Sequence, residues 1–381
     1  MAWLIALILF AHAVAHLPGF VVPWQLMVSP EMPYKTTVLA GRLDVGDTGI
    51  RIVGMLWLSV ALLFALTALA WVTRTSWAAS VTLLGAVLSL AICLVEVPQA
   101  WIGVAVNVAL LLATPVFGAT AWGFTSDRVA TALTSGRGGQ VRQAGTVGTI
   151  GTIGTIRTGA NGVVDRYFAH VLPPGQRPIA TAMLEQEAEF FVGGGWKPLT
   201  ARQHFVTEPP GFVWDARIAM APGVPVFVRD SYIGGAGAMH GEVAGVFPIV
   251  RQSDKPELNA GALHRYVAEA VWLPTALWPG AHMQWTEVDD RTALATFTDA
   301  GTTVRLQFRF TAAGDVEEIH VRNRPREENG RYIPTPWTVR CQEWGTFDGI
   351  RVPVRCEVAW EMPAGPLPYW RGRITHARYT Y

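Results

Sequence analysis

Residues 337–360 read WTVRCQEWGTFDGIRVPVRCEVAW, and this pattern determines the architecture of the C-terminal half of the chain. The Asp348-Gly349 pair is typical of a two-residue type I′ turn between antiparallel strands. Counted outward from the turn, the pairs that face each other are Phe347–Ile350, Val339–Val358 and Trp337–Trp360. All three pairs lie on one face, so the sequence predicts a β-hairpin with one buried side.

The same register places Cys341 opposite Cys356. Such a pair favours a disulfide, which would put this half of the chain outside the cytosol. The alternative is two buried free thiols, because the pair is a hydrogen-bonded one whose wider separation suits an S–S bond less well. Cys93, the third cysteine, has no evident partner.

A second hairpin is predicted around Gly314-Asp315. Apolar residues at positions 304, 306, 308 and 310 alternate with polar ones, which is the period of a half-buried strand. A two-residue turn would set Phe310 opposite Ile319 and Phe308 opposite Val321. Similar short runs after Asp165 predict about ten strands in all.

One helix interrupts these strands, beginning at Pro256 and ending before Pro274. Its apolar positions with helical spacing are Leu258, Leu263, Tyr266, Val267 and Val271. The helix is expected to cover part of one sheet face and to leave His264, Arg265 and Glu269 in solvent. The pattern therefore predicts an α+β domain with a mostly antiparallel sheet.

The N-terminal third has a different composition. Of the 381 residues 50% are hydrophobic, only 15% are charged, and the mean hydropathy is +0.27. Four apolar stretches are each long enough for the ~20 helical residues that a bilayer core requires. They are Trp3–Met27, Ile50–Val72, Trp77–Val97 and Trp101–Gly123. The sequence predicts a multi-pass membrane region of four transmembrane helices.

The first span is expected to be retained rather than cleaved as a signal peptide. Small residues at Ala11–Ala15 would suit cleavage, but no basic segment precedes them. The orientation stays open, because Lys35, Arg42 and Arg51 on one side balance Arg74, Arg128 and Arg137 on the other. A disulfide in the C-terminal domain would favour the extracytoplasmic side for that domain.

Between these regions the chain is rich in Gly, Thr and Ser, and a Gly-Thr-Val/Ile triplet repeats within residues 145–157. Such a composition is typical of a flexible tether. We therefore expect three parts: a four-span transmembrane domain (1–125), a flexible linker (126–160) and an antiparallel β-sheet domain (161–381).

Polar residues inside the apolar stretches form a predicted membrane cluster. His12 and His16 are four apart and share a helix face, while Glu96 and Asn107 lie near or within the third and fourth spans. Paired imidazoles suit a proton relay or a metal or haem site. The alternative is that Pro18 and Gly19 break the first helix and the imidazoles bond neighbouring helices, and we prefer it because no further ligand cluster accompanies the pair.

Few residues of the C-terminal domain indicate catalysis. The chain has no nucleophile elbow, P-loop, zincin helix or cysteine spacing typical of a metal site, so no metal or cofactor is predicted. His240, His264 and Glu269 are the candidates for a catalytic group, and an enzymatic activity stays open. The formal charge of +1 argues against nucleic acid as a partner.

Several segments resemble an uncharacterised bacterial family of membrane proteins with a C-terminal domain of unknown function. They are Glu257–Asn259, Leu263–Glu269, Trp272–Leu277, Trp285, the Asp348-Gly349 hairpin with Pro353, Glu357–Trp360, Tyr369–Gly372 and, at the other end, His16–Phe20. More remotely, strands with a covering helix are similar to the lipoprotein-carrier fold, a curved sheet that holds acyl chains. That likeness implies a curved sheet but transfers no binding residue.

These observations favour a membrane-anchored binding module, in which a tethered β-sheet domain binds a lipid or another hydrophobic ligand. Two alternatives remain. One is a membrane-embedded enzyme or redox protein that uses His12 and His16, and the other is a structural partner in a membrane assembly. Membrane lipid is the expected partner, and protein partners are unknown.

Overall fold

The computed structural model describes residues 1–28, 33–97, 99–135 and 162–381. They divide into two compact units: residues 1–127 with 242–248, and residues 128–241 with 249–381. The predicted linker lies outside the described residues beyond Ser135. Residues 126–134, which the composition assigned to that linker, belong to a helix.

The N-terminal part of the chain is helical. Its elements are α1 (Ala2–Ala15), α2 (Pro18–Val21), the short strands β1 (Thr37–Val38) and β2 (Leu43–Asp44), and then α3 (Gly46–Val72), α4 (Ala78–Val95), α5 (Trp101–Leu112) and α6 (Thr114–Thr134). As predicted, α1 ends just before Pro18. Proline has no N–H to donate and disfavours helical backbone at the residue before it.

Three helical segments are long and apolar enough to cross a membrane: Ala2–Val21, Gly46–Val72 and Ala78–Val95. The fourth predicted span is not one straight helix, because α5 and α6 form a pair bent by 52°. Pro115 lies in the first turn of α6, where it fits, but it cannot continue α5. The described residues thus contain three candidate spans, or four if the bent pair counts as one.

The C-terminal part is built on one antiparallel sheet of 13 strands. The strands are β3 (Thr181–Val192), β4 (Gly195–Val206), β5 (Gly211–Ala221), β6 (Val224–Ile233), β7 (Ala236–Val243), β8 (Phe247–Ser253), β9 (Met283–Glu287), β10 (Thr292–Asp299), β11 (Thr302–Phe310), β12 (Val316–Glu328), β13 (Arg331–Phe347), β14 (Ile350–Met362) and β15 (Gly365–Thr380). Their order in the sheet is β8-β7-β6-β5-β4-β3-β15-β14-β13-β12-β11-β10-β9.

Two helices accompany the sheet. The helix α8 (Pro256–Glu269) was predicted and is followed by two short 3₁₀ turns, Ala270–Trp272 and Pro274–Leu277. The helix α7 (Val163–Val171) was not predicted. Its buried residues Val163, Val164, Tyr167, Phe168 and Val171 have helical spacing, which is the signal that the sequence carried for it.

The sheet curls around α8. The Arg265 guanidinium of α8 donates to Asp230 of β6 over 2.7 Å, and Arg324 of β12 donates to the Gly261 carbonyl of α8 over 3.0 Å. The strands β6 and β12 are seven places apart in the sheet. In a flat sheet that separation would be about 34 Å, at roughly 4.8 Å per strand. Because a helix is only about 10 Å wide, the sheet must curve strongly to contact α8 from both sides.

The curvature corrects one expectation about α8. His264, Arg265 and Glu269 were expected in solvent, but His264 is 7% exposed and the side chains of Arg265 and Glu269 are 16% and 17% exposed. A helix on a flat sheet buries one face only. A helix inside a curved sheet is covered on several sides, so its second face is buried as well.

The two predicted hairpins had different outcomes. Each predicted pair of the β13–β14 hairpin is confirmed, including Trp337 opposite Trp360 and Cys341 opposite Cys356, and the ladder is irregular only around Glu343. The β11–β12 register was wrong: Phe310 faces Val316 and Phe308 faces Ile319.

The β11–β12 turn is longer than two residues because Asp315 is held elsewhere. Its carboxylate accepts two hydrogen bonds from Arg351 of β14, at 2.7 and 3.1 Å, and lies 3.3 Å from His170 of α7. The turn is closed instead by the backbone N–H of Thr311, which donates to the Asp315 carbonyl over 2.8 Å. At Phe308 the partner is shifted by two residues, from Val321 to Ile319, so the apolar faces still coincide there. At Phe310 an irregularity in the ladder makes the shift three residues, from Ile319 to Val316.

Substitution of Gly235 tests whether the β6–β7 turn contacts the β10–β11 turn across the curved sheet. It has φ +85°, and a Cβ there would lie 2.4 Å from the Cβ of Ala300 in the β10–β11 turn. Gly223 has φ +73° and no described atom within 4 Å of that position. Alanine strains the left-handed backbone by about 1–2 kcal/mol at both sites, and the clash adds about 1–3 kcal/mol at Gly235.

We therefore expect Gly235→Ala to lower the thermal unfolding midpoint of the sheet domain more than the matched control Gly223→Ala. Proteolysis of residues 162–381 in the full chain, followed as a function of temperature, measures this midpoint. Equal losses in the two variants would mean that the two turns do not touch.

Candidate functional site

A cavity of about 620 Å³ lies in the concave side of the sheet, against α8. Alternate residues of the strands line it, such as Val226 and Val228 of β6 or Val358 and Trp360 of β14. The lining residues are uncharged except for six: Asp230, Arg265, Glu269, Arg324, Arg326 and Glu327. Period-two alternation in curved strands therefore produces an apolar chamber with a few charged groups.

Five tryptophans line this cavity: Trp214, Trp272, Trp337, Trp360 and Trp370. Their ring nitrogens are largely occupied by the protein itself. Trp214 donates to Gln186 over 2.9 Å, Trp272 to the Pro353 carbonyl over 2.9 Å, and Trp337 to the Tyr369 hydroxyl over 3.0 Å. These three rings are fixed by hydrogen bonds and present apolar faces to the cavity.

Arg265 is the centre of a buried ion cluster on one wall. Its guanidinium donates to Asp230 over 2.7 Å and to Glu269 over 2.8 Å. The second carboxylate oxygen of Glu269 accepts a hydrogen bond of 2.7 Å from Gln203. The guanidinium also lies 4.7 Å from the ring centre of Trp214. Each charged group in this cluster thus contacts a group of opposite charge, as buried charges require.

Burial and ion pairing shift the pKa of two members of the cluster. Burial raises the pKa of Glu269 above its ordinary value, and the pairing with Arg265 offsets this only in part. Burial alone would lower the pKa of Arg265, but the charges of Glu269 and Asp230 raise it. The pair is a structural element of the wall, with both oxygens of Glu269 already occupied.

The three candidate catalytic residues do not form a common site. Of the described residues that line the cavity, Glu269 is one, whereas His240 and His264 lie elsewhere. Burial lowers the pKa of His240 below its ordinary value. The Nδ1 atom of His264 donates to the Ala260 carbonyl over 2.8 Å, one turn earlier in α8. The described chain thus gives these residues no shared hydrogen bond.

The sequence missed other members of the site. Asp230 and Gln203 lie on strands whose alternation was visible, but their partner is on α8, so only the curvature brings them together. Arg324 lies beyond an irregularity in β12 that no residue in the sequence marks. Cys341 and Cys356 are buried with their sulfur atoms 3.7 Å apart, and both are free thiols in this structure.

The predicted membrane cluster is partly assembled. His12 lies 3.2 Å from the side-chain oxygen of Asn107, and Nε2 of His16 lies 2.7 Å from the hydroxyl of Ser89. The amide nitrogen of Asn107 donates to the same hydroxyl over 2.7 Å. The network joins α1, α4 and α5.

Glu96 does not take part in this network, since it forms an ion pair of 2.9 Å with Lys35. A pocket of about 340 Å³ in the helical unit is lined by His12, His16, Cys93 and Glu96. Within the described ranges no three histidine, cysteine or acidic side chains are grouped so as to hold a metal ion.

Residues 162–379 match a family described as a family of unknown function (DUF6920). The match covers most of the segments that resemble an uncharacterised family, and it confirms that resemblance for the C-terminal domain. No curated protein matches the chain.

Three solved structures are similar over 57% of this chain, each with a TM-score of 0.32. A DUF1329 family protein from Desulfovibrio piger is 11% identical over 90% of its own length. A putative outer membrane lipoprotein-sorting protein domain from Vibrio parahaemolyticus is 9% identical over 91%. A LolA superfamily protein from Nitrosomonas europaea is 12% identical over 92%.

Acid is expected to destabilise the sheet domain through His264. Burial, together with the nearby charge of Arg324, lowers the pKa of His264 from 6.5 to about 4. Between these values the unfolded chain binds more protons than the folded one, so the free energy of unfolding falls as the pH falls, by at most about 3 kcal/mol.

His264→Gln removes this proton uptake and should make the decline between pH 6.5 and pH 4 shallower. Thermal unfolding of the wild type and the variant across this range measures it. The same decline in both proteins would show that His264 does not control the acid response.

Proposed function

This chain belongs to the DUF6920 family, whose function is unknown, and we propose that it is a multi-pass membrane protein whose curved sheet domain binds a lipid or another hydrophobic ligand. The observation that carries the proposal is the cavity of about 620 Å³. Small-molecule sites usually measure about 300–1,000 Å³ and combine apolar walls with a few placed polar groups. This cavity has both properties.

The side chains of the cavity wall are held in place, which supports a binding site rather than a loosely packed core. The indole rings of Trp214, Trp272 and Trp337 are each held by a hydrogen bond, so the cavity cannot collapse without breaking them. Buried polar groups without partners are costly. The chamber is thus preformed, which lowers the cost of binding a ligand.

The distribution of large and small apolar side chains on the helices supports membrane insertion. Large apolar residues point outward: Leu7, Leu62 and Ile102 are 65%, 62% and 60% exposed. Small residues such as Ala68 and Ala86 are buried between the helices. This distribution is typical of helices in lipid, where small residues allow close packing and the outer surface is apolar.

The polar network of His12, His16, Ser89 and Asn107 fits the same setting. Polar side chains in lipid must find partners in neighbouring helices. Here they bond one another across three helices. The network therefore serves helix association in this proposal.

Ligand binding is tested with a photoreactive diazirine analogue of palmitic acid. The full chain is reconstituted in phosphatidylcholine nanodiscs, illuminated and digested, and labelled peptides are identified by mass spectrometry. We expect labels within residues 214–239 and 337–370, which contribute to the cavity wall. Labels confined to the helices would show partitioning into the bilayer only and would contradict the proposal.

Two matched variants locate the label. Val228→Trp places an indole in the cavity and should reduce cavity labelling by about five- to tenfold, because the ring occupies space that the ligand needs; this factor corresponds to about 1–1.4 kcal/mol. Val224→Trp makes the same change on the same strand at an exposed residue outside the cavity wall, and should leave labelling unchanged. Labelling of the helices is the internal reference in both.

We further expect the sheet domain to lie on the extracytoplasmic side, where Cys341 and Cys356 would become oxidised. Denatured protein treated with a maleimide should then carry a label on Cys93 alone, and on all three cysteines after reduction. Cys341→Ser should release Cys356 for labelling without reductant. Three labels in unreduced wild type would contradict the disulfide and remove its support for an extracytoplasmic domain.

A further inference from the structure

Arg324 presents a guanidinium to the cavity without a carboxylate partner. Its Nη2 donates to the Gly261 carbonyl over 3.0 Å, while its Nε is buried and has no hydrogen-bond acceptor. Within the described part of the chain, no carboxylate oxygen lies within 4.0 Å of this side chain. A buried N–H donor without an acceptor is costly, so this one needs an explanation.

The other charged groups of the cavity are already occupied. Arg265 is paired with Asp230 and Glu269, and Arg326 is paired with Glu328 at 2.9 Å. Glu327 accepts a hydrogen bond of 2.7 Å from the backbone N–H of Gly330. Among the described residues, Arg324 is therefore the arginine of the cavity that has no ion-pair partner within 4.0 Å.

A β-bulge directs Arg324 into the cavity. Val321 faces Trp337 across the β12–β13 ladder, and the next pair in the ladder is Arg324 with Thr335. In regular pairing Asn323 would face Thr335. One extra residue therefore brings Arg324, and not Asn323, to the side of the sheet that Trp337 shares.

Two indole rings support the guanidinium. Its central carbon lies 4.6 Å from the ring centre of Trp337 and 5.2 Å from that of Trp360. Aromatic faces attract a cation but accept no conventional hydrogen bond from it. The rings thus keep the charge in place and, apart from the bond to Gly261, leave its N–H donors to a further group.

We propose that the cavity binds an amphiphile with one anionic headgroup, whose headgroup receives charge-assisted hydrogen bonds from Arg324 and whose alkyl chain lies along the apolar wall. The inference rests on the proposed function and names its ligand class. An arginine fork matches a carboxylate or phosphate headgroup in both charge and geometry. Apolar residues such as Ile218, Val228 and Val358 line the rest of the cavity and suit the chain.

Competition for the photoreactive palmitic acid analogue tests the headgroup. The full chain in phosphatidylcholine nanodiscs is labelled in the presence of palmitate, hexadecanol or inorganic phosphate, at a pH well above the carboxyl pKa. Palmitate should displace the label at about tenfold lower concentration than hexadecanol, since a hydrogen bond to a charged group strengthens binding by roughly that factor. Inorganic phosphate should not compete, because it lacks the chain.

Variants assign the preference to Arg324. Arg324→Gln should bind both competitors equally, and Arg324→Lys should restore most of the preference for palmitate. Arg326→Gln is the matched control, because Arg326 lines the same cavity but is already paired with Glu328. Thermal unfolding of each variant shows whether it is folded, and rescue by lysine separates charge from shape.

The outcomes distinguish the two proposals. If the analogue labels the cavity but palmitate and hexadecanol compete equally in the wild type, the anionic headgroup is refuted and hydrophobic binding stands. A preference that survives in Arg324→Gln, or competition by phosphate alone, also refutes it. If the analogue does not label the cavity at all, the proposed function fails as well.

Discussion

Curvature of the 13-stranded sheet around one helix is the constraint on which the C-terminal domain depends. A single helix cannot touch strands seven places apart unless the sheet bends, and α8 bonds to both β6 and β12. The bend encloses the cavity and removes water from Arg265 and its partners. It also brings the Tyr232 hydroxyl of β6 within 2.7 Å of Asp299 of β10, so that distant parts of the sheet meet.

The sequence predicted those parts of the fold that local chemistry determines. The Asp348-Gly349 turn holds two residues in the left-handed region, at φ +48° and +80°, and so sets the register of the β13–β14 hairpin on both sides of an irregularity at Glu343. The β11–β12 turn could not be predicted in the same way. Its geometry depends on Asp315, whose partners Arg351 and His170 are on other elements.

The candidate site was less accessible to prediction. A polar face on a helix next to a sheet ordinarily meets solvent, and only the curvature turns His264, Arg265 and Glu269 inward. Arg324 depends on one extra residue in β12, and strand periodicity alone would place it on the opposite side. In the helical unit, composition identified the apolar stretches, while the bend before Pro115 divided the last of them.

The strand order has a consequence for how the domain is made. The strand β15 comes last in the chain but is seventh in the sheet, where it pairs with β3, nearly two hundred residues earlier. The strands β3–β8 and β9–β15 each form a meander of neighbours, which local contacts can build quickly. During synthesis the first meander must wait with its β3 edge unpaired until the second is complete. An open edge of this kind invites pairing with other chains, so the interval before β15 arrives is when the nascent domain most needs protection from aggregation.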